Sequence, residues 1–241
     1  AECVGVNSHA DLALVSKVLR HRINEQLMSD GVAMLDPDRV YIDAGVDVGR
    51  GARIYPDVYL QGATTIESGA EIGPGVHATD SSVSAGATVR YSVLEGAVVG
   101  PGTNVGPYTY LRPGADLGAD AKAGSFVEIK NSQVGQRSKV PHLSYIGDTT
   151  IGEDSNVGAA TITANYDGFE KNRTEIGDRV KIGSDTILVA PVSVGDDAYT
   201  GAGSVISKDV SPGALALERS HQEEIPGYAE RRKRRASEDG K

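Results

Sequence analysis

The chain has 241 residues, 39% of them hydrophobic, with 30 Gly, 10 Pro, only 2 Phe and no Trp, a glycine share well above the typical value of about 7% that favours frequent turns over an aromatic core. A net charge of −9 argues against nucleic-acid binding by the whole molecule, because phosphate recognition wants a basic face. The single cysteine, Cys3, allows no internal disulfide and fits a reducing cytoplasm, and no run of about 18 apolar residues predicts a membrane span.

Residues 1–7, AECVGVN, read as the end of a β-strand and a turn, cut from something longer. Over residues 8–31, Leu12, Val15, Val18, Leu19, Ile23 and Leu27 recur at helical spacing, with Ser8 placed to cap the helix and Gly31 to end it. This segment is expected to be a connecting helix, either a linker to a further domain or packed on the body that follows.

From Val40 a different period begins. Ile42, Val48, Ile54, Leu60, Ile66, Ile72 and Ala78 fall six apart, which suits neither a helix nor an isolated strand. Residues 79–98 lose the beat apart from Val83 and Val89, and a looser coil is expected there. The strict array resumes with Val99, Val105, Leu111, Leu117, Ala123 and Ile129, slips by one to Val134, Val140 and Ile146, and continues through Ile151 and Val157. A polar stretch, ANYDGFEKNRTE, with a turn pair Asp167-Gly168, interrupts it before Ile176, Ile182, Leu188, Val194, Thr200 and Ile206. Three hexads make one turn of a parallel β-helix, expected over residues 32–210. Each inward Val, Ile or Leu contributes about 1.5–3 kcal/mol on burial, and glycine relieves the corners. The pattern stops at Ser211-Pro212-Gly213, leaving a tail over 211–241 whose RRKRR run reads as solvated charge, with a nucleic-acid or anionic-surface patch as the alternative.

Polar residues that interrupt such an array are the candidates for chemistry. His142 lies in VPHLSY, in the regular part, where an imidazole can take a proton from an amine near neutral pH; a coil-surface histidine without a role is the competing reading. Arg112 and Lys130 both follow an inward residue and lie three hexads apart, so they should stack about 5 Å apart. Together with Lys171 they suit an anion between them, or pairing with Glu128 or Asp116. No zinc signature and no phosphate-loop motif is present.

The strings YTYLRPGADLG, FVEIKNS, VPHLSYIGD, NVGAATITANYDG, KIGSDTILVAPVSVGD and TGAGSVI closely resemble the acetyltransferase half of the bifunctional bacterial N-acetylglucosamine-1-phosphate uridylyltransferase/glucosamine-1-phosphate acetyltransferase family. The resemblance implies an all-β, left-handed parallel β-helix and a homotrimer with sites between subunits; because left-handed crossovers are rare among parallel strands, the hand comes from the resemblance and not from the period. It implies acetyl-CoA-dependent N-acetylation of glucosamine-1-phosphate in cytoplasmic UDP-N-acetylglucosamine biosynthesis for the cell wall. In that family pattern His142 is the general base, Glu128 polarises it, Asn165 orients the reacting groups and Ser184 stabilises the oxyanion through its backbone. Arg112, Lys130, Tyr145, Asn156, Tyr166 and Lys171 match sugar-phosphate contacts, and Ala159, Asn165, Tyr166, Ser184, Ala202 and Arg219 match acetyl-CoA contacts. The sequence departs from the pattern around Arg219 (LERSHQEEIPGY), and Tyr228 stands where tryptophan is common. Asn7 matches a magnesium ligand of the uridylyltransferase half, so Mg2+ belongs to that missing half and no competent metal site is expected. A non-catalytic trimerisation scaffold is the rival expectation; it has no need of Arg112, Lys130, His142 and Asn165 together. A metal-dependent hydratase of the same fold class fails on histidine count.

Overall fold

The computed structural model describes residues 5–239. The strand end expected over 1–7 lies partly outside them, and Gly5–Asn7 carry no strand. Helix α1 spans His9–Ser29; its cap is Ser8, whose Oγ accepts the Asp11 backbone N–H at 3.1 Å, while Asp11 returns a carboxylate oxygen to the Asn7 N–H. The apolar stripe is used only at its far end. Ile23 and Leu27 pack on the β-structure, whereas Leu12, Leu14, Val18 and Leu19 stay exposed. Asn24 pins the helix: it is buried, and its Nδ2 donates to the Pro37 and Val40 carbonyls at 2.8 and 3.0 Å.

The chain then winds through three parallel sheets in rotation. Face A, of 11 strands, runs from Ala33–Met34 to Leu215–Ala216; face B has 10, from Val40–Ile42 to Val205–Ile206; face C has 9, from Asp47–Val48 to Val192–Val194. Inward side chains stack rung on rung: Val105, Ala123 and Val140 on face A, Leu94, Leu111, Ile129 and Ile146 on face B, Leu117, Val134, Ile151 and Ile176 on face C. All of them are buried. The helix extends past the expected end at 210, because Leu215–Ala216 pairs in register with Tyr199–Thr200 and adds a rung. The tail also forms a second helix, α2, over Tyr228–Asp239.

The looser coil expected over 79–98 is not found. Strands there pair in full register, Val83 with Ile66 and Val99, and Leu94 with Ala78 and Leu111. The beat changes because some sides are one residue shorter. In these the left-handed corner residue comes second after the inward one rather than third, as at Asp80 (φ 49°) and Tyr91 (φ 45°). The next residue is a buried serine whose hydroxyl donates back to the carbonyl two places earlier, Ser81 to Thr79 and Ser92 to Arg90, satisfying a corner that a shorter side would leave unpaired. The slip after Ile129 is the same device, with Asn131 (φ 44°) and Ser132, and it recurs at Asp148 (φ 50°) and Thr149.

One corner carries an alternating charge column. Arg137 forks onto Asp154 at 2.7 and 2.8 Å, and Arg179 onto Asp197 at 2.7 and 2.9 Å. The arginine bonds hold the carboxyls of Asp154 and Asp197 below their usual range. Carboxylates lowered in the folded state stabilise it above the unfolded pKa near 4 and lose that contribution as pH falls through the lowered value. Melting temperature should therefore drop on acidification below about pH 4, and the double variant D154N/D197N should show a shallower drop than the parent in the same titration.

Candidate functional site

Face B gathers the charged candidates because outward positions on successive rungs fall in line. Tyr110, Glu128 and Tyr145 pair in register, and two residues further on Arg112, Lys130 and Gly147 form the next column. Arg112 donates Nη1–H to Glu128 Oε1 at 2.7 Å, so the pairing alternative holds for this cation. Lys130 meets a different partner.

Lys171 is brought to it by the loop that interrupts the hexads. Asp167 turns that loop: its Oδ1 accepts the Phe169 and Glu170 N–H groups at 2.8 and 2.7 Å, its Oδ2 the Asn172 side chain at 3.0 Å, and Tyr166 bridges Lys171 in antiparallel fashion. These donors keep the Asp167 carboxyl low. Lys171 thus comes against the Lys130 ammonium, which pushes its pKa down by direct contact and by like charge, partly opposed by Asp148 and Tyr145. Two ammoniums held together in this way form a ready site for an anion.

Gly147 leaves space beneath the cluster. A Cβ there would lie 2.5 Å from the Tyr145 hydroxyl and 2.8 Å from Asn165 Nδ2, so a bare backbone is what lets the tyrosine ring and the carboxamide converge. Asn165 is buried and donates Nδ2–H to Asp148. Asp148 was no part of the sequence expectation; the only trace of it was the shortened side after Ile146, which marks a corner rather than a function.

His142 ends the face A strand Lys139–His142, opposite Ser125, with its side chain exposed at the corner leading to face B. Above it the same corner carries Ala159, Ser184 and Ala202, one per rung: the His142 carbonyl accepts the Ala160 N–H, that of Ala159 the Asp185 N–H at 2.7 Å, and that of Ser184 the Gly203 N–H at 2.8 Å. Arg219 closes the column by donating Nη1–H to the Ala202 carbonyl at 2.9 Å. At rung spacing the column rises about 14 Å from His142, a shallow track of small residues. Beside His142 and on the rungs below it, Leu143, Phe126, Tyr108 and Tyr91 project as an exposed apolar strip from left-handed corner positions, with the Tyr108 and Phe126 rings stacked at 5.4 Å.

Several expected partners are not brought together within one chain. Glu128 engages Arg112, and among the described residues no hydrogen bond joins it to His142. Asn156 lies on face A, in line with Lys139 and Lys181 and away from the face B cluster. Tyr166 is exposed, its hydroxyl donating to the Gly168 carbonyl of its own loop. Asn7 is exposed beside α1, and among the described residues no three His, Cys, Asp or Glu side chains group to hold a metal. No described helix is long and apolar enough to cross a membrane.

The class follows from the fold and its repeats: this is a left-handed parallel β-helix of hexapeptide repeats, and the model of the bacterial transferase hexapeptide (six repeats) matches residues 173–208. A solved UDP-N-acetylglucosamine acyltransferase of Francisella novicida shares the fold, with a TM-score of 0.55 at 14% identity over 82% of this chain and 72% of that one. The particular relatives are bifunctional proteins GlmU. That of Streptomyces avermitilis is 48% identical over 232 residues, 96% of this chain and 48% of the relative, and that of Nocardia farcinica is 48% identical over 231 residues, 96% of this chain and 47% of the relative. The chain spans about half the length of the curated relatives it matches, and the resemblance drawn from the motifs is borne out.

Proposed function

We propose that the chain transfers the acetyl group of acetyl-CoA to the 2-amino group of glucosamine-1-phosphate, a cytoplasmic step toward UDP-N-acetylglucosamine. The observation that carries this reading is the convergence of Arg112, Lys130 and Lys171 with Tyr145 on face B, one corner from His142 and its column of small residues. The cations hold the sugar phosphate. The amine nitrogen attacks the thioester carbonyl carbon while His142 takes its proton; the C–S bond then breaks, and the CoA thiolate leaves with that proton. The Ser184 backbone N–H faces the developing oxyanion, Ala159 and Ala202 leave room for the pantetheine arm along the corner, and Arg219 suits a CoA phosphate. Glu128 would act on His142 only after releasing Arg112 to the phosphate. Asn156, on face A, joins the site from another copy, and the apolar strip from Tyr91 to Leu143 is covered by it, in a homotrimer with sites between subunits. Mg2+ serves the other half of the bifunctional relatives, to which Asn7 would belong.

A trimerisation scaffold accounts for the repeats but assigns no task to three converging cations. The two readings separate in a thiol-release assay with acetyl-CoA, with and without glucosamine-1-phosphate. Sugar-dependent thiol release is the expected result; a rate no higher than the sugar-free control ends the enzymatic reading.

A further inference from the structure

Asp148 is 6% exposed, and nothing in the acetyl-transfer scheme uses it. A carboxylate withdrawn from water needs donors on its oxygens or a nearby positive charge. Asp148 has both. One oxygen accepts Asn131 Nδ2 and the other Asn165 Nδ2, while the ammoniums of Lys130 and Lys171 stand close enough to act on it. Its backbone is equally committed, the N–H donating to the Lys130 carbonyl at 3.1 Å and the carbonyl accepting the Thr174 N–H at 3.2 Å, where the loop rejoins the solenoid. Burial alone would raise this carboxyl; the amide donors and the two ammoniums outweigh it and hold the group low, hence charged at neutral pH.

We propose that Asp148 is a positioning residue of the acetyl-transfer site, one that fixes the Asn165 carboxamide and sets the charge of the Lys130–Lys171 pair. The proposal rests on the acetyltransferase reading above. A carboxylate can only accept, so Asn165 must donate its NH2 to it, and the carboxamide oxygen, which accepts no hydrogen bond among the described residues, stays free. That free oxygen is the acceptor that aims an N–H of the incoming sugar amine. The same carboxylate offsets one of two adjacent ammoniums, and without it the pair would repel more strongly and grip a dianionic phosphate more tightly. Position and charge are thereby opposed: one favours turnover, the other weakens ground-state binding.

D148N tests this because it keeps the shape, removes the charge and presents an NH2 where a second acceptor is needed. The expected result is a kcat lower by about 100-fold, the cost of roughly 1 Å of misplacement, with a KM for glucosamine-1-phosphate about threefold lower, the scale of one partly exposed charge pair. D148E, which keeps the charge and displaces the carboxyl, should lower kcat at unchanged KM. It also serves if D148N does not fold. A purely structural residue would raise KM as kcat falls, or change only the melting temperature; either result, or full kcat in both variants, overturns the proposal. Calorimetric titration with inorganic phosphate needs no turnover and should show tighter binding to D148N than to the parent. If the parent transfers no acetyl group, the functional reading falls while this titration still decides the charge role, and equal or weaker phosphate binding by D148N refutes it.

Discussion

Replacing His142 with alanine is expected to lower turnover of acetyl-CoA and glucosamine-1-phosphate by about 10²–10⁴-fold, the usual contribution of a positioned acid–base group. The loss should fall on kcat, because His142 lies at the corner, off the face B cluster, and the cations that hold the phosphate remain. Melting temperature should hardly move, since the side chain is exposed and makes no hydrogen bond among the described residues; its strand is held by backbone pairing and by the Ser144 hydroxyl donating to the His142 carbonyl at 2.7 Å. An imidazole acts as a base only when unprotonated, so any pH step that His142 contributes to the parent's rate should be missing from the residual rate of H142A. Equal turnover in the two proteins, or the same pH step in both, would remove His142 from the mechanism.

Replacing Lys130 with alanine is expected to raise KM for glucosamine-1-phosphate by about tenfold to a hundredfold. A hydrogen bond to a charged group contributes about 1.5–3 kcal/mol, and here one of three cations is lost. Lys171 makes the outcome specific. Its pKa is pushed down chiefly by contact with Lys130, so the folded state disfavours charging both. With Lys130 gone, Lys171 should titrate at higher pH, which NMR of its labelled side chain would register. A lysine depressed in the folded state opposes folding at pH values where it must be charged, and K130A should therefore keep or slightly raise its melting temperature while KM worsens. A fall in melting temperature together with an unchanged KM would mean that Lys130 serves the solenoid rather than a ligand.

The extent to which the site was legible varies with the length scale of its contacts. Arg112 one rung below Lys130 could be read directly, since a repeat converts equal spacing into stacking. His142 was legible as an exception to the hexads. The alignment of His142 with Ala159, Ser184 and Ala202 was not read from spacing, because the loop makes the coil between Ala159 and Ser184 longer than its neighbours. The contact of Lys171 with Lys130 depends on how Asp167 folds the loop, and the role of Asp148 on which way a corner turns; neither leaves a periodic trace.

What the residue order alone settled is the prism: inward aliphatics at a six-residue beat can be buried together only by coiling, so the rungs, their parallel pairing and the rows of outward positions follow. Tertiary contact decided the rest. It made the irregular span over 79–98 an intact coil, because a left-handed residue moved one place forward turns the corner with one residue fewer. It carried the solenoid on through Leu215–Ala216, since an open sheet edge recruits the next chain segment able to pair with it. It also set Asp148 between two lysines and Asn165, for a buried carboxylate must take its partners from whatever the neighbouring rungs bring within reach.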